Sequence, residues 1–239
     1  MKTIALLLIL LSLSARSNVR NESELGLTEA RGNTQNMTFF GKHASELNKG
    51  KSLYIARGHY YYGKANDELN LRNWMSEFRW KRTFAKRWDS VLSQKVEGNR
   101  FMGYEWRTNT DIGTAFYLIP KKEANDRNFL LLEFGYRYQY EERVVADDVD
   151  NGSHQSRIFI QNSREHSKTF FTMLSTEWAK THGNDHRDML TIEASANANI
   201  NSTFTMKTSY TIRYDDTLQA RGFEYSNDRI LTISLVANY

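Results

Sequence analysis

The amino-acid sequence predicts an all-β fold: an antiparallel, up-and-down transmembrane β-barrel of about 12 strands, with about ten strands as the alternative. Apolar and polar residues alternate over long segments, as in strands whose two faces meet different surroundings. Aromatic residues make up 13% of the chain although its mean hydropathy is −0.65, and barrels use aromatic residues at both membrane interfaces. The chain contains one proline, Pro120, and no cysteine. This suits long strands, because proline cannot donate to a hydrogen-bond ladder.

Residues 1–17 have the features of a secretory signal peptide. Lys2 gives a positive start, Ile4 to Leu13 form a short apolar run, and Ala15-Arg16-Ser17 suits cleavage. The run is too short for a membrane-spanning helix, which needs about 20 apolar residues. We therefore expect residues 18–239 to form one exported barrel domain, located in the bacterial outer membrane.

Candidate strands follow one another along the mature chain, with noisier alternation in the N-terminal half than in the C-terminal half. They are 22–32, 34–46, 51–64, 68–83, 86–98, 104–119, 128–144, 155–163, 168–180, 187–200, 202–215 and 224–239. The count falls to about ten if 86–98 or 155–163 is a loop. With both termini in the periplasm, short periplasmic turns should alternate with longer outer loops.

The clearest alternation runs from Leu130 to Tyr140, where Leu132 and Phe134 fall on the opposite face from Glu133 and Arg137. Such stripes extend over about 9 to 11 residues, the length that a tilted strand needs to cross a bilayer. Strands of soluble sandwiches usually have about 5 to 6 residues, so a soluble periplasmic β-protein is a less favoured alternative. Tryptophans near strand ends would form an aromatic belt; they are Trp74, Trp80, Trp106 and Trp178.

The last strand ends on an aromatic residue, Tyr239, with Leu231, Ile233 and Leu235 at alternating positions before it. This pattern resembles the terminal signal by which barrel-assembly machinery recognises its clients. We expect that machinery to be a partner during biogenesis. The outer-membrane lipids, including lipopolysaccharide, are the expected partners afterwards, and the oligomeric state is left open.

Charged residues fall on the face that would point into the barrel. They are Glu133, Arg137, Glu141, Glu193, Lys207 and Arg213, with Glu77 and Arg79 as further candidates. Inside a barrel such charges can pair with each other or face water. Two interpretations follow: a narrow channel that selects small polar or anionic solutes, and a structural or stress-related barrel whose lumen is filled by salt bridges.

Overall charge and composition exclude several classes of protein. The chain has 32 basic and 28 acidic residues, without the basic stripe that a nucleic-acid partner requires. Neither a cofactor motif nor a metal site is expected. His182 and His186 lack the helix and following Glu of a zinc protease. Asp147, Asp148 and Asp150 depart from the spacing of a calcium-binding loop.

One short pattern suggests an enzyme as the alternative function. His154-Gln155-Ser156 resembles the arrangement of outer-membrane lipid A deacylases, in which a barrel-face serine is activated by a neighbouring histidine. The match covers only the histidine and the serine, and catalytic triads are recognised by geometry rather than spacing. We therefore predict that the protein is not an enzyme, with a lipid-modifying enzyme as the alternative.

Two segments carry a resemblance to a known family. They are Ala30-Arg31-Gly32-Asn33-Thr34 near the mature N-terminus and Thr208 to Asp216, which reads TSYTIRYDD, before the last strand. They resemble the salt-induced outer-membrane protein family, which also has a glycine-rich middle strand. Here that strand, Ile112 to Tyr117, lacks the second glycine, and Glu133-Phe134-Gly135-Tyr136 follows on the next strand. The resemblance implies a Gram-negative outer-membrane barrel of unknown function, and it implies no catalytic residue.

Overall fold

The computed structural model describes residues 19–31, 36–65, 68–100, 103–121, 126–144, 152–183, 187–219 and 225–239. Residues 1–17, the predicted signal peptide, lie outside this range. The described residues form twelve strands. They are β1 (Val19–Arg31), β2 (Asn36–Lys49), β3 (Ser52–Ala65), β4 (Glu68–Ala85), β5 (Trp88–Asn99), β6 (Tyr104–Ile119), β7 (Phe129–Arg143), β8 (Gly152–Ser167), β9 (Phe170–His182), β10 (Asp188–Asn199), β11 (Phe204–Asp215) and β12 (Asn227–Asn238).

Each strand pairs with its neighbours in sequence, and β1 pairs antiparallel with β12, which closes the barrel. At this seam Leu25 lies opposite Leu235. The chain end is held by two backbone hydrogen bonds: the Asn21 amide donates to the Tyr239 carbonyl over 2.8 Å, and the Tyr239 amide donates to the Asn21 carbonyl over 3.0 Å. Closure leaves no unpaired strand edge, which lipid would not tolerate.

The predicted up-and-down barrel is confirmed, with twelve strands rather than ten. Both uncertain segments form strands. The eighth is longer than predicted, because β8 runs from Gly152 to Ser167 and not from 155 to 163. Its last residues are mostly polar and show no alternation. Pairing with β9, such as Glu165 opposite Phe171, extends the strand.

The chain termini lie at one end of the barrel, called here the terminus end, and the opposite end is called the far end. Two-residue turns at 50–51, 86–87 and 168–169 connect strands at the terminus end. Gly50 and Arg87 adopt positive φ angles of 61° and 70° in two of these turns. The long connections 144–151 and 216–226 lie at the far end, but the connection 120–128, which is also long, lies at the terminus end, so the predicted alternation of short and long connections is imperfect. The described part of the chain contains no helix that is long and apolar enough to cross a membrane.

Side chains are distributed in the reverse of the pattern of a water-soluble protein. Large apolar side chains point outward and are exposed, for example Phe39 at 75%, Ile112 at 62% and Leu25 at 59%. Charged side chains point inward and are buried, for example Glu133 at 2% and Arg137 at 5%. The alternation along each strand produces both surfaces, since successive side chains point to opposite faces. All four tryptophans predicted for the aromatic belt fall on the outward face, although Trp74 and Trp80 lie well inside β4 and not at its ends.

Candidate site in the barrel interior

A cavity of about 710 Å³ lies inside the barrel and is lined by residues of all twelve strands. Thirteen Lys and Arg residues and ten Asp and Glu residues contribute to its lining. The charged side chains lie mainly on the wall formed by β1 to β9. The wall formed by β10 to β12 carries mainly small polar side chains, such as Ser195, Ser209 and Thr232, which are buried. The open space therefore borders a charged wall and a small-residue wall.

Glu133 on β7 is the centre of the charged wall. Its carboxylate accepts from Lys81 Nζ at 2.8 Å and from Arg157 Nη1 at 3.2 Å, and it also pairs with Arg79. Arg79 and Lys81 belong to β4, so their side chains reach Glu133 across β5 and β6. Because three cations share one buried carboxylate, loss of the Glu133 charge would remove an ion-pair partner from all three.

Two facing glycines explain how the cations reach Glu133. Gly113 on β6 lies opposite Gly135 on β7, and both occupy inward positions in the alternation. A Cβ atom at Gly113 would clash with the backbone carbonyl of Phe134. The glycine pair therefore permits close approach of the two strands and leaves their inner surface free of side chains.

The network continues from Glu133 towards the middle of the barrel. Arg157 Nη2 lies 2.6 Å from Glu177 Oε2, and Arg137 Nη1 lies 3.0 Å from Glu177 Oε1. Arg137 also holds Asp111 in a two-pronged contact, with Nε at 2.6 Å from Oδ1 and Nη2 at 2.9 Å from Oδ2. This fork geometry is the strongest form of a carboxylate–guanidinium pair.

A second network lies at the far end and includes a residue from a connecting loop. Arg187, between β9 and β10, is 4% exposed and donates from Nη1 to Glu141 Oε2 at 3.0 Å. Its Nε donates to Asp215 Oδ2 at 2.9 Å, and Arg107 Nη2 lies 2.8 Å from Glu141 Oε2. Arg187 thus connects β7 to β11 across the mouth of the barrel.

A third network crosses the seam near the terminus end. Glu24 on β1 accepts from Lys42 Nζ at 3.1 Å and from Ser234 Oγ at 2.8 Å. Lys207 Nζ lies 3.5 Å from both Glu24 and Glu193. This network bridges the first and last strands from the inside.

Arg213 on β11 differs from the inward cations of the three networks. It lines the cavity and is only partly buried, and it forms no ion pair with any described residue. Arg57 on β3 is also accessible, since its side chain is 49% exposed while Nε lies 2.6 Å from Glu77 Oε2. Solute in the cavity could therefore meet these guanidinium groups directly.

The six residues predicted to line the lumen all point inward, but they differ in surroundings. Glu133, Arg137 and Glu141 are buried and form ion pairs. Lys207 lies 3.5 Å from Glu193, a longer contact, and Arg213 faces the cavity. Their role in selecting solutes stays a prediction. The sequence patterns did not identify several network members. Seven lie on strands that mix apolar and polar residues on both faces: Arg57, Lys81, Arg107, Asp111, Arg157, Glu177 and Asp215. The eighth, Arg187, lies in the connection between β9 and β10.

The four residues of the predicted assembly signal lie on the outward face of β12 and at the chain end, with Leu231, Ile233, Leu235 and Tyr239 exposed by 38%, 51%, 46% and 37%. The Tyr239 hydroxyl lies 3.1 Å from Ser23 Oγ on β1. Recognition of this strand by assembly machinery stays a prediction.

The serine of the predicted enzyme pattern lies on the outward face and contacts a different histidine from the one considered. Ser156 Oγ lies 2.7 Å from His182 Nε2, whereas His154 pairs with the Tyr136 hydroxyl. Within the described ranges no carboxylate hydrogen-bonds to His182, and no group of three or more His, Cys, Asp or Glu residues could hold a metal ion. The remaining loop residues considered for metal binding, Asp147, Asp148, Asp150 and His186, lie outside the described residues.

A closed antiparallel barrel with an apolar exterior and a charged interior defines the class of transmembrane β-barrels. The chain belongs to the family described as protein of unknown function, DUF481, whose model matches residues 23–239. That description contains no reference to salt induction, so this part of the resemblance stays a prediction. No curated protein matches the chain at a significant level.

Solved structures with the same fold are only distantly similar in sequence. The NanC porin has a TM-score of 0.56 at 10% identity, over 90% of this chain and 98% of the porin. The translocator domain of the autotransporter NalP from Neisseria meningitidis has a TM-score of 0.52 at 9% identity, over 99% and 94% of the two chains. A bacterial polysaccharide outer membrane secretin has a TM-score of 0.50 at 6% identity, over 94% and 99%. At such identities the likeness concerns the fold.

Proposed function

We propose that the protein is an outer-membrane channel for small polar or anionic solutes. The outward apolar surface supports a membrane location, and closed barrels of this kind are typical of outer membranes. The observation that carries the channel proposal is the lining of the cavity, where thirteen basic residues exceed ten acidic ones and Arg213 forms no ion pair with a described residue. Rings of basic side chains favour passage of anions.

The accessible cations determine which solutes would be favoured. Most inward carboxylates are already held by Arg or Lys, as Glu133 and Asp111 are, so they offer little attraction to a passing cation. Arg213 and Arg57 keep donors that can face the cavity. A guanidinium group binds carboxylates and phosphates through paired hydrogen bonds, so small organic anions fit this lumen best.

Single-channel recording in planar bilayers tests the proposal. We expect wild-type channels with anion selectivity, measured as the reversal potential in a salt gradient, and reduced anion selectivity in Arg213→Glu. Arg229→Glu is the matched control, because Arg229 lies on the adjacent strand and points outward. A cation-selective wild type would contradict the proposal. A wild type without conductance would favour a structural barrel whose lumen is filled by salt bridges.

A lipid-modifying enzyme is the second candidate, and the contact between Ser156 and His182 is the observation in its favour. A serine nucleophile normally needs a base that is itself oriented by a third group, and none of the described residues orients His182. We therefore propose a non-enzymatic protein. Equal lipid hydrolysis by wild type and Ser156→Ala is expected, and a loss of hydrolysis in the variant would contradict it.

A further inference from the structure

A group of polar side chains interrupts the apolar exterior near the far end of β8 and β9. It consists of His154 and Ser156 on β8 and Lys180 and His182 on β9, and we call it the outer cluster. All four side chains are exposed. In the strand register His154 lies opposite His182, and Ser156 opposite Lys180. The four residues therefore form one compact patch on the outward face.

Hydrogen bonds and ring contacts hold much of the outer cluster in place. Ser156 Oγ lies 2.7 Å from His182 Nε2. His154 pairs with the Tyr136 hydroxyl, and its ring centroid lies 5.2 Å from that of Tyr138. Because these contacts already restrict the side chains, binding a ligand would cost less conformational entropy.

Lys180 supplies the charge of the outer cluster. Its ammonium group is exposed and forms no ion pair with any described residue, although Asp188 lies opposite it in the strand register. An exposed ammonium group at the edge of a bilayer is stabilised further by an anion at the level of the lipid headgroups. Below the outer cluster the same strands carry Ile158, Ile160 and Leu174, an apolar surface suited to acyl chains.

We infer that the outer cluster binds a phosphate group of an anionic lipid in the leaflet at the far end of the barrel. Lys180 supplies charge, the ring of His154 has one nitrogen outside its contact with Tyr136, and the hydrogen-bonded pair of Ser156 and His182 keeps one donor that their mutual contact does not use. The tyrosines beside the cluster belong at the same headgroup level, where aromatic belts lie. The inference rests on the outer-membrane placement proposed above, but it does not depend on conduction.

Lipid retention by the purified barrel tests this inference directly. The folded protein in detergent micelles is mixed with bisphosphorylated lipid A or with the same lipid after removal of its phosphates, and bound lipid is measured by native mass spectrometry. We expect wild type to retain the phosphorylated lipid preferentially. Lys180→Gln combined with His182→Gln should weaken its binding about tenfold, the effect of losing charge-assisted hydrogen bonds.

Two control variants separate charge from location. Lys180→Arg keeps the charge and should retain most binding. Lys95→Gln removes the same charge from inside the barrel, where Nζ lies 3.0 Å from Glu97 Oε1, and should leave lipid retention unchanged. Heat-modifiable migration on gels verifies that each variant is folded, and conductance is not needed for any of these measurements.

Three results would overturn the inference. One is equal retention of phosphorylated lipid by wild type and the double variant. Another is equal retention of the phosphorylated and dephosphorylated lipids, which would indicate contact with the acyl chains alone. The third is displacement of the lipid by inorganic phosphate at the same concentration, which would identify a site for the free anion instead of a headgroup.

Discussion

Replacing Glu133 with Gln should destabilise the barrel more than any other single carboxylate change in the lumen. The substitution removes the charge that Arg79, Lys81 and Arg157 share while keeping the volume of the side chain. Removing one partner of a buried ion pair costs about 3 to 5 kcal/mol. Arg79 keeps Glu77 at 3.8 Å and Arg157 keeps Glu177 at 2.6 Å.

The surroundings of Lys81 determine where in that range the loss of unfolding free energy in Glu133→Gln falls. Glu133 is its one ion-pair partner among the described residues, and its side chain is 9% exposed, so Glu133→Gln strands this ammonium group. We therefore expect a loss of about 3 kcal/mol, the lower end of the range, because the two arginines remain compensated. Adding Lys81→Met removes the stranded charge and should restore about 1 to 2 kcal/mol.

The assay is urea unfolding of the barrel refolded into lipid vesicles, followed by tryptophan fluorescence. Glu142→Gln serves as the control, because Glu142 points outward, is exposed and accepts a hydrogen bond from Trp106 Nε1 at 2.7 Å. This variant should lose about 1 kcal/mol or less of its free energy of unfolding. A cost of less than about 1 kcal/mol for Glu133→Gln would contradict this prediction, because it would mean that water in the lumen screens these ion pairs as it screens surface salt bridges.

Three further perturbations test the exterior, the mouth and the chain end. Ile112→Arg, in the middle of β6 and 62% exposed, should cost about 2 to 4 kcal/mol in the same assay, against about 0 to 1 kcal/mol for Ile119→Arg at the strand end; equal costs would mean that Ile112 does not face hydrocarbon. Arg187→Gln should raise single-channel conductance, since Arg187 bridges Glu141 and Asp215 across the mouth, and unchanged conductance would show that this bridge does not limit flow. Deleting Tyr239, or replacing Leu231, Ile233 and Leu235 with Ser, should lower outer-membrane levels measured by fractionation, whereas the inward change Thr232→Ser should not; normal levels of the deletion would contradict the assembly-signal hypothesis.

The strand positions could be predicted because the alternation of side chains is a local property of the chain. From Leu130 to Tyr140 every apolar residue except Leu131 falls on one face, and β7 occupies this segment. In β3 the prediction of faces was harder, since Arg57 and His59 point inward while Tyr60 and Tyr62 point outward. Both faces of that strand combine polar and aromatic groups, so hydrophobicity alone does not distinguish them.

The partners of the charged residues could not be predicted in the same way. The sequence places Arg79 and Glu133 on inward faces, but they are separated by two intervening strands. The register of every pair of strands, and the stagger of the whole barrel, determine which inward side chains lie at the same height. The glycines at 113 and 135 contribute as well, because they leave the space through which Arg79 and Lys81 extend.

The exterior and the mouth of the barrel show the same distinction between patterns along one strand, which are local, and contacts between strands, which depend on the tertiary structure. The amino-acid sequence predicts about twelve alternating segments, an apolar outward stripe and a set of inward charges, because these follow from a period of two residues along each strand. Strand pairing brings Ser156 to His182 and not to the nearby His154, and it places Lys180 beside them. Barrel closure likewise brings Arg187 from a loop into the mouth. Residues on different strands become neighbours through strand pairing and barrel closure, and the identity of those neighbours is not encoded in the local spacing of any one segment.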